Sequence, residues 1–304
     1  MRVLAVIASL LAAVLIYGVA IEPRLLLDDQ KFEVELPNLP GGWEGQTVAL
    51  IADFQVGMWL DNKGMVEEAV EDAIDEGVSL ALIAGDFVYK PDSAIVREAV
   101  GLVRPFVEAG VPTVAVLGNH DYSLMKKDSQ EKPEIAAYLR DQLREAGVTV
   151  LENEATAIEA QNGDRLWVAG VGSVWAENAS VRSALADVPA GAPRVWLMHN
   201  PEAFRELPAR EAPLALAAHT HGGQIRIAGP SMSWLDIVRE GEVVADGWAQ
   251  SDIGAEGNRL YVNRGIGFST VPIRIRCRPE LTIVTLLSAG GDVPVEAPSR
   301  VTDS

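Results

Sequence analysis

The run Thr47-Val48-Ala49-Leu50-Ile51-Ala52-Asp53-Phe54-Gln55 is apolar until it meets a carboxylate, and a glutamine stands two residues beyond it. A carboxylate at the end of a buried strand costs free energy unless something pairs with it. The pattern recurs twice. VSLALIAGD (Val78–Asp86) ends on Asp86, and VPTVAVLGNHD (Val111–Asp121) ends on Asn119 and His120. Helical patterns separate these runs. Asn62 stands where it can cap a helix that carries Met65, Val66, Ala69, Val70 and Ala73 on one face, with Gly77 after it. Ala94–Ala109 reads as a second helix closed by Gly110, and Glu134–Ala146 as a third followed by Gly147. Strand alternating with helix implies parallel pairing through right-handed crossovers. Ligands of such sheets sit beyond the carboxyl ends of the strands. The spacing therefore places Asp53, Asp86, Asn119 and His120 on one rim.

The second half is richer in strands. RLWVAGVG (Arg165–Gly172), RVWLMHNP (Arg194–Pro201) and APLALAAHTHGG (Ala212–Gly223) read as strands that end in loops, with a helix over Asn178–Leu185. GEVVADGW (Gly241–Trp248), NRLYVNRG (Asn258–Gly265) and ELTIVTLL (Glu280–Leu287) read as an antiparallel set. Residues 25–45 read as a connector with an edge strand, 46–289 as the main domain, and 290–304 as a loose tail.

Val3–Ile21 contains no charged residue. Spanning a bilayer takes about 20 apolar residues, whereas a signal-peptide core needs about 7–15. Residues 1–24 are therefore expected to be an uncleaved signal anchor crossing the membrane once. The rival is cleavage near Gly18-Val19-Ala20, where small residues stand. Arg2 flanks one end of the run and Arg24 and Lys31 the other, so basic residues set the orientation poorly. The chain of 304 residues has 48 % hydrophobic and 22 % charged residues, and a formal net charge of -18. A surface this acidic repels a phosphate backbone, which argues against nucleic acid as a partner but not against a small phosphorylated substrate held by cations. Cys277 is the single cysteine, so no intrachain disulfide forms.

The four histidines, His120, His199, His219 and His221, each follow a strand-like apolar run directly. With Asp53, Asp86 and Asn119 they make seven candidate ligands, more than one tetrahedral ion needs. Oxygen and imidazole ligands without thiolate suit Mn²⁺, iron, Zn²⁺ or Mg²⁺. Two ions are expected, and a carboxylate can bridge such a pair about 3.5–4 Å apart.

The same residues carry a resemblance. DFQ (Asp53–Gln55), GD (Gly85-Asp86), GNHD (Gly118–Asp121), HNP (His199–Pro201) and HTHGGQ (His219–Gln224) stand in the order found in calcineurin-like metallophosphoesterases, over Gln46–Leu287. The apolar N-terminus, IEPR (Ile21–Arg24) and the segment Asn263–Glu280 resemble a membrane-associated bacterial branch that includes exported phosphoesterases and enzymes cleaving UDP-diacylglucosamine. The resemblance implies a four-layer α/β/β/α sandwich. It implies a metal-dependent phosphohydrolase of the bacterial cell membrane, acting on a phosphodiester, phosphomonoester or pyrophosphate. Apart from the resemblance, the catalytic domain is expected on the extracytoplasmic side, although the short N-terminal tail permits either direction. In it Asp53 and His221 hold one metal, Asp86 bridges, and Asn119, His199 and His219 hold the other. His120 stands beside the leaving group, and a hydroxide held between the metals attacks phosphorus in line.

Two positions depart from the family pattern. Gln55 stands where the family usually has histidine, so the first site is expected to hold Zn²⁺ less well and to favour Mn²⁺, Mg²⁺ or iron. Tyr89 stands where some members have the carboxylate that orients the catalytic histidine, which leaves the orienter of His120 open. Gly222-Gly223 are expected to let backbone approach the metals. Arg274, Arg276 and Arg278 read as a basic stripe for phosphate or lipid headgroups, or else as a solvent-facing edge strand. Trp59, Trp167, Trp175, Trp196, Trp234 and Trp248 read mostly as packing, with a substrate groove as their other use. The alternative function is a non-catalytic or weakly active metal-binding envelope protein whose first site has decayed at Gln55. The oligomeric state is not legible.

Overall fold

A computed structural model describes residues 2–126, 129–228, 232–233 and 244–289. Trp234, the start of the expected strand at Gly241–Val243 and the tail from Gly290 lie outside the described residues.

The first sheet has the order β1 (Asp28–Leu36), β14 (Glu280–Ser288), β2 (Thr47–Ile51), β3 (Leu80–Ile83), β4 (Thr113–Ala115), β5 (Thr149–Val150). Strands β2 to β5 are parallel, as the strand–helix alternation requires. Their crossovers are α3 (Lys63–Asp75), α4 (Ser93–Glu108) and α5 (Pro133–Glu145). Gly77, Gly110 and Gly147 follow these helices with positive φ, the conformation that terminates a helix at little cost in glycine.

The second sheet runs β12 (Gly247–Trp248), β13 (Leu260–Val262), β9 (Ala215–Ala217), β8 (Arg194–Leu197), β7 (Arg165–Gly170), β6 (Glu154–Glu159). Here β13, β9, β8 and β7 are parallel, and β12 and β6 are antiparallel edges. A separate ribbon pairs β10 (Arg226–Ala228) with β11 (Met232–Ser233) in antiparallel fashion.

Period-two alternation sorts the strands into layers. Val48, Leu50, Leu80, Leu82 and Val114 face Leu166, Val168, Val195, Leu197 and Leu216 of the other sheet. Ala49, Ile51, Ala81, Ile83 and Ala115 face the helix layer of α3, α4 and α5. The outer face of the second sheet packs on α6 (Val181–Ala186) and on Phe204 of the helical turn Pro201–Glu206. This is the expected α/β/β/α sandwich.

Three local expectations need correction. ELTIVTLL does not join the late antiparallel set. As β14 it lies in the first sheet, antiparallel to β2 and parallel to β1, because it is buried on both faces and needs neighbours on both sides. Asn62 precedes α3 but does not cap it. Its amide donates to the carbonyls of Pro23 (2.7 Å) and Ile266 (3.0 Å). The cap of α4 is Asp92, which accepts from the amides of Ala94 and Ile95. The helix expected over Asn178–Leu185 begins at Val181, with Ser180 as its cap.

At the N-terminus, α1 (Arg2–Ile16), a π-helical turn (Tyr17–Ile21) and α2 (Glu22–Leu25) form a continuous 24-residue helix, long and apolar enough to cross a membrane. No residue of α1 is buried, which excludes a core helix. Its far end is built into the body of the protein. The Glu22 carboxylate is buried and accepts from the amides of Arg276 (2.7 Å) and Cys277. The Arg24 guanidinium holds the carbonyls of Leu60 and Asp61 and lies over the Phe268 ring.

Candidate active site

The site residues leave the strand ends on unusual backbone. Asp53, Gln55, Asp86, His219 and His221 all have positive φ, between 51° and 76°. Left-handed backbone in non-glycine residues costs about 1–3 kcal/mol each and survives only where the surroundings enforce it. Here they do. The amide of Asp53 bonds to the Gly85 carbonyl, that of Gln55 to the Asp86 carbonyl, and that of Gly267 to the Asp53 carbonyl. Two glycines are required by close approach. A Cβ at Gly118 would stand 2.1 Å from Asp86 Oδ1, and one at Gly265 (φ +64°) would stand 2.3 Å from Asp53 Oδ2.

The side chains converge. His199 donates Nδ1–H to the Ala84 carbonyl at 2.7 Å, which fixes its tautomer and leaves Nε2 facing inward. That nitrogen lies 3.0 Å from Asn119 Oδ1, 3.1 Å from His219 Nδ1 and 3.4 Å from Asp86 Oδ2. Asn119 is itself held, its amide donating to the Leu124 carbonyl at 2.7 Å. Gln55 Nε2 donates to Asp86 Oδ2 at 2.8 Å, and Asp86 Oδ1 accepts from the His120 amide at 2.8 Å. His221 Nδ1 stands 4.0 Å from Asp53 Oδ2. Two groups have ligand atoms within 4.8 Å of one another, Asp86–His199–His219 and Asp53–Asp86–His221, and Asp86 belongs to both. All eight sequence-predicted residues thus meet on one rim.

A family model described as calcineurin-like phosphoesterase matches residues 46–223. The chain belongs to this family. It is 31% identical to the phosphodiesterase YaeI of Escherichia coli (strain K12), over 73% of this chain and 76% of that protein. It is 24% identical to an uncharacterized metallophosphoesterase, YkuE of Bacillus subtilis (strain 168), over 90% of each. A transmembrane protein with a metallophosphoesterase domain from Danio rerio is 25% identical over 93% of this chain and 63% of its own length. As a calcineurin-like phosphoesterase the chain is a phosphoester hydrolase of a family that uses dimetal centres.

The donor set fits that use. Asp53 is fully buried, yet neither of its carboxylate oxygens receives a hydrogen bond of normal geometry. Gln55 Oε1 and His221 Nδ1 are also buried without a hydrogen-bond partner. Orphaned buried acceptors are costly in a folded protein, and cations satisfy them. The electrostatics agree. Burial pushes the Asp53 carboxyl up to about 7, against the pull of His199. Burial acts the same way on Asp86, but the imidazoles of His199 and His120 prevail and hold its carboxyl below the usual range. Burial disfavours charge on His199, yet the Asp86 carboxylate overrides it and raises the imidazole to about 9. His221 is driven well below the ordinary range by burial and by the Arg274 guanidinium. Negative charge is thus concentrated on the residue common to both groups.

Several residues of this phosphoesterase escaped the sequence reading. The orienter of His120 is Tyr89 after all, through its backbone. His120 Nδ1 donates to the Tyr89 carbonyl at 3.1 Å, and the two rings stack at 5.1 Å. Asp121 is buried and accepts from the amides of Asp86 (2.9 Å), Gly118 (2.8 Å) and Val88 (3.2 Å), clamping two site loops together. Burial and the Asp86 charge push its carboxyl up to about 8.

Arg274 corrects the basic stripe. It is fully buried and donates to the carbonyls of Gly267, Gly265, Arg264, Cys277 and His221, which braces the loop packed on Asp53. Arg276 and Arg278 are exposed. Gly222 makes its close approach to Arg264 and Cys277, where a Cβ would stand 2.6–2.7 Å away. Among the tryptophans, Trp175 packs edge-on against His219, Trp196 is buried and Trp59 is exposed.

Proposed function

We propose that this chain is a membrane-anchored dimetal phosphoesterase that cleaves a phosphodiester, phosphomonoester or pyrophosphate bond of a lipid-linked substrate, UDP-diacylglucosamine being one example of the class. The observation that carries the reading is the pair of ligand groups sharing Asp86, with both oxygens of buried Asp53 left for a cation. Asp53, Gln55 and His221 would hold one divalent ion, Asn119, His199 and His219 the other, and Asp86 both. An amide oxygen at Gln55 in place of imidazole favours Mn²⁺ over Zn²⁺, with Mg²⁺ and iron as alternatives. Bound there, the ions supply Lewis-acid polarisation of the phosphoryl oxygens and acidification of a water molecule.

The chain's own residues do the rest. The Tyr89 carbonyl keeps the proton of His120 on Nδ1, so Nε2 is the nitrogen turned to the departing oxygen. His120 Nε2, once protonated from solvent, hydrogen-bonds that oxygen and hands it the proton as the ester bond breaks. Asp86 fixes the His120 backbone through its amide, so the acid and the shared carboxylate move as one unit.

Residues 1–24 would be the anchor, 25–45 the connector with its edge strand, 46–289 the catalytic domain and 290–304 a tail. The protein is placed in a bacterial cell membrane with that domain outside the cytoplasm. A C-terminal alkaline phosphatase fusion that is active on intact cells supports this orientation, and an inactive one reverses it. Catalysis is tested on the full chain in detergent, loaded separately with Mn²⁺, Zn²⁺, Mg²⁺ and Fe²⁺ and supplied with an aryl phosphodiester. Near two ions per chain, with turnover lost in His120→Ala, is the expected result. One ion per chain without turnover under any metal would leave the metal-binding envelope protein as the reading.

A further inference from the structure

Outside the N-terminal helix, the large apolar side chains that stand exposed among the described residues are three: Trp59 (64%), Leu60 (54%) and Val271 (40%). All three sit on the two loops bound to the end of that helix. Leu60 and Asp61 give their carbonyls to Arg24, at 2.8 and 3.1 Å. Val271 lies in the loop whose Arg274 amide donates to the Gly18 carbonyl at 2.9 Å. Ile273 and Ile275 of that loop pack so closely on Gly18 that a Cβ there would meet them at 3.1 and 2.7 Å. Leu60 is moreover held in left-handed backbone (φ +55°), a strained way to present a leucine to water.

Helix length gives these loops a depth. The wholly exposed α1 has 15 residues. At about 1.5 Å per residue it reaches about 22 Å, short of the about 30 Å of a hydrocarbon core. The remainder must come from Tyr17–Ile21, the turn against which Ile273 and Ile275 lie. A helix seated across the bilayer therefore brings the loops beside that turn to the level of the headgroups and the first acyl carbons. Arg276 and Arg278 are exposed next to the same turn, where cations meet lipid phosphates.

We infer that loops 57–61 and 269–278 form a bilayer-docking surface, with Trp59, Leu60 and Val271 inserted at the interface and Arg276 and Arg278 on anionic headgroups. The surface is continuous with the anchor helix, and the inference rests on reading that helix as an anchor. It deepens the functional proposal. Asp53 and Gln55 stand just before the first loop, and Gly265 and Gly267, just before the second, pack on Asp53. The candidate metal site is thereby held at headgroup height, where the phosphoester of a membrane lipid lies.

The test is depth-dependent quenching in nanodiscs of equal parts phosphatidylcholine and phosphatidylglycerol. The full chain is labelled with an environment-sensitive fluorophore at Leu60→Cys, Leu11→Cys or Ala109→Cys. Buried Cys277 stays in place, and the unsubstituted chain serves as the labelling blank. Ala109 caps the far end of α4, opposite the strand ends that carry the site. Expected is quenching at Leu11 by nitroxides deep in the acyl chain, and quenching at Leu60 by shallow nitroxides severalfold above that at Ala109. A Leu60 label no more quenched than Ala109, with Leu11 quenched, overturns the docking surface. A Leu11 label that escapes deep nitroxides overturns the anchor and the docking surface together. No turnover is measured, so a failure of the catalytic reading shows separately, in the hydrolysis assay.

Discussion

The two candidate cation positions share Asp86 but are held in different ways. Around His199 and Asn119 the side chains are tethered one by one, Nδ1 to the Ala84 carbonyl and the amide to the Leu124 carbonyl, so their inward atoms are aimed before any ion arrives. Around Asp53 and His221 no side-chain tether of such close geometry is found among the described residues, and the Asp53 carboxylate has only the His219 amide near it. Asp53 carries two unsatisfied oxygens, and the order comes from backbone: positive φ at Asp53, Gln55 and His221, a glycine loop packed on the carboxylate, and Arg274 bracing that loop from within. Direct tethers preorganise the second position. The first depends on a loop contributed from the far end of the chain. The first position should therefore be the softer of the two, and the more responsive to changes outside its ligands.

Substitutions can break this asymmetry. The largest effect is expected at the residue both positions share. Asp86→Ala should empty both and lower hydrolysis by on the order of 10³-fold, the loss of several kcal/mol of transition-state stabilisation. Metal content by mass spectrometry beside turnover checks it, and retention of two ions would refute the shared role. Gly265→Ala comes next. It drives a Cβ into Asp53 and strains left-handed backbone, so it should cost about 1–3 kcal/mol of stability. It should also remove the first ion selectively, readable as a drop from two ions to one with a lowered Tm.

Asn119→Ala should act on the other side, removing a ligand and weakening the second ion by at least the about 10–100-fold that losing a supporting contact costs at metal sites, while the first ion stays. Titration calorimetry with Mn²⁺ resolves the two. The smallest effect is expected from Gln55→His, which exchanges one neutral ligand for another. It should shift preference from Mn²⁺ towards Zn²⁺ with Mn²⁺-supported turnover changed less than about tenfold. A rise from no turnover to strong turnover would mean that the natural first position does not work.

Much of this was legible in the sequence for a physical reason. The site residues follow five buried strands, β2, β3, β4, β8 and β9, and a short apolar run is a local signal that needs no knowledge of partners. What could not be read was non-local. Arg274 sits in IRIRCR, an alternation that looks like a solvent edge, and it is buried because the carbonyls of Arg264, Gly265, Gly267, Cys277 and distant His221 surround it. ELTIVTLL reads as a strand, but its sheet is not legible, since that depends on Asp28–Leu36 arriving beside it from some 250 residues earlier. EATAIE of β6 gives little strand signal, because an edge strand with partial exposure throughout alternates too weakly. Asn62 matches a helix cap in sequence, yet its amide is spent on Pro23 and Ile266. The Tyr89 carbonyl could not be found in any side-chain pattern, since any residue there offers the same atom.

The buried carboxylate of Glu22 has a practical consequence for where the chain is cut. A peptidase acting after Ala20 would release the apolar helix and the Gly18 carbonyl, but Glu22 and Arg24 would stay on the body, still capping Arg276 and Cys277 and still gripping the Leu60 turn. A truncation beginning beyond Arg24 removes both. It exposes two uncapped amides in the segment that carries Arg274, and through Arg274 it loosens the loop against Asp53. Two soluble fragments differing by only a few residues at their start should then differ in how well they hold their first ion.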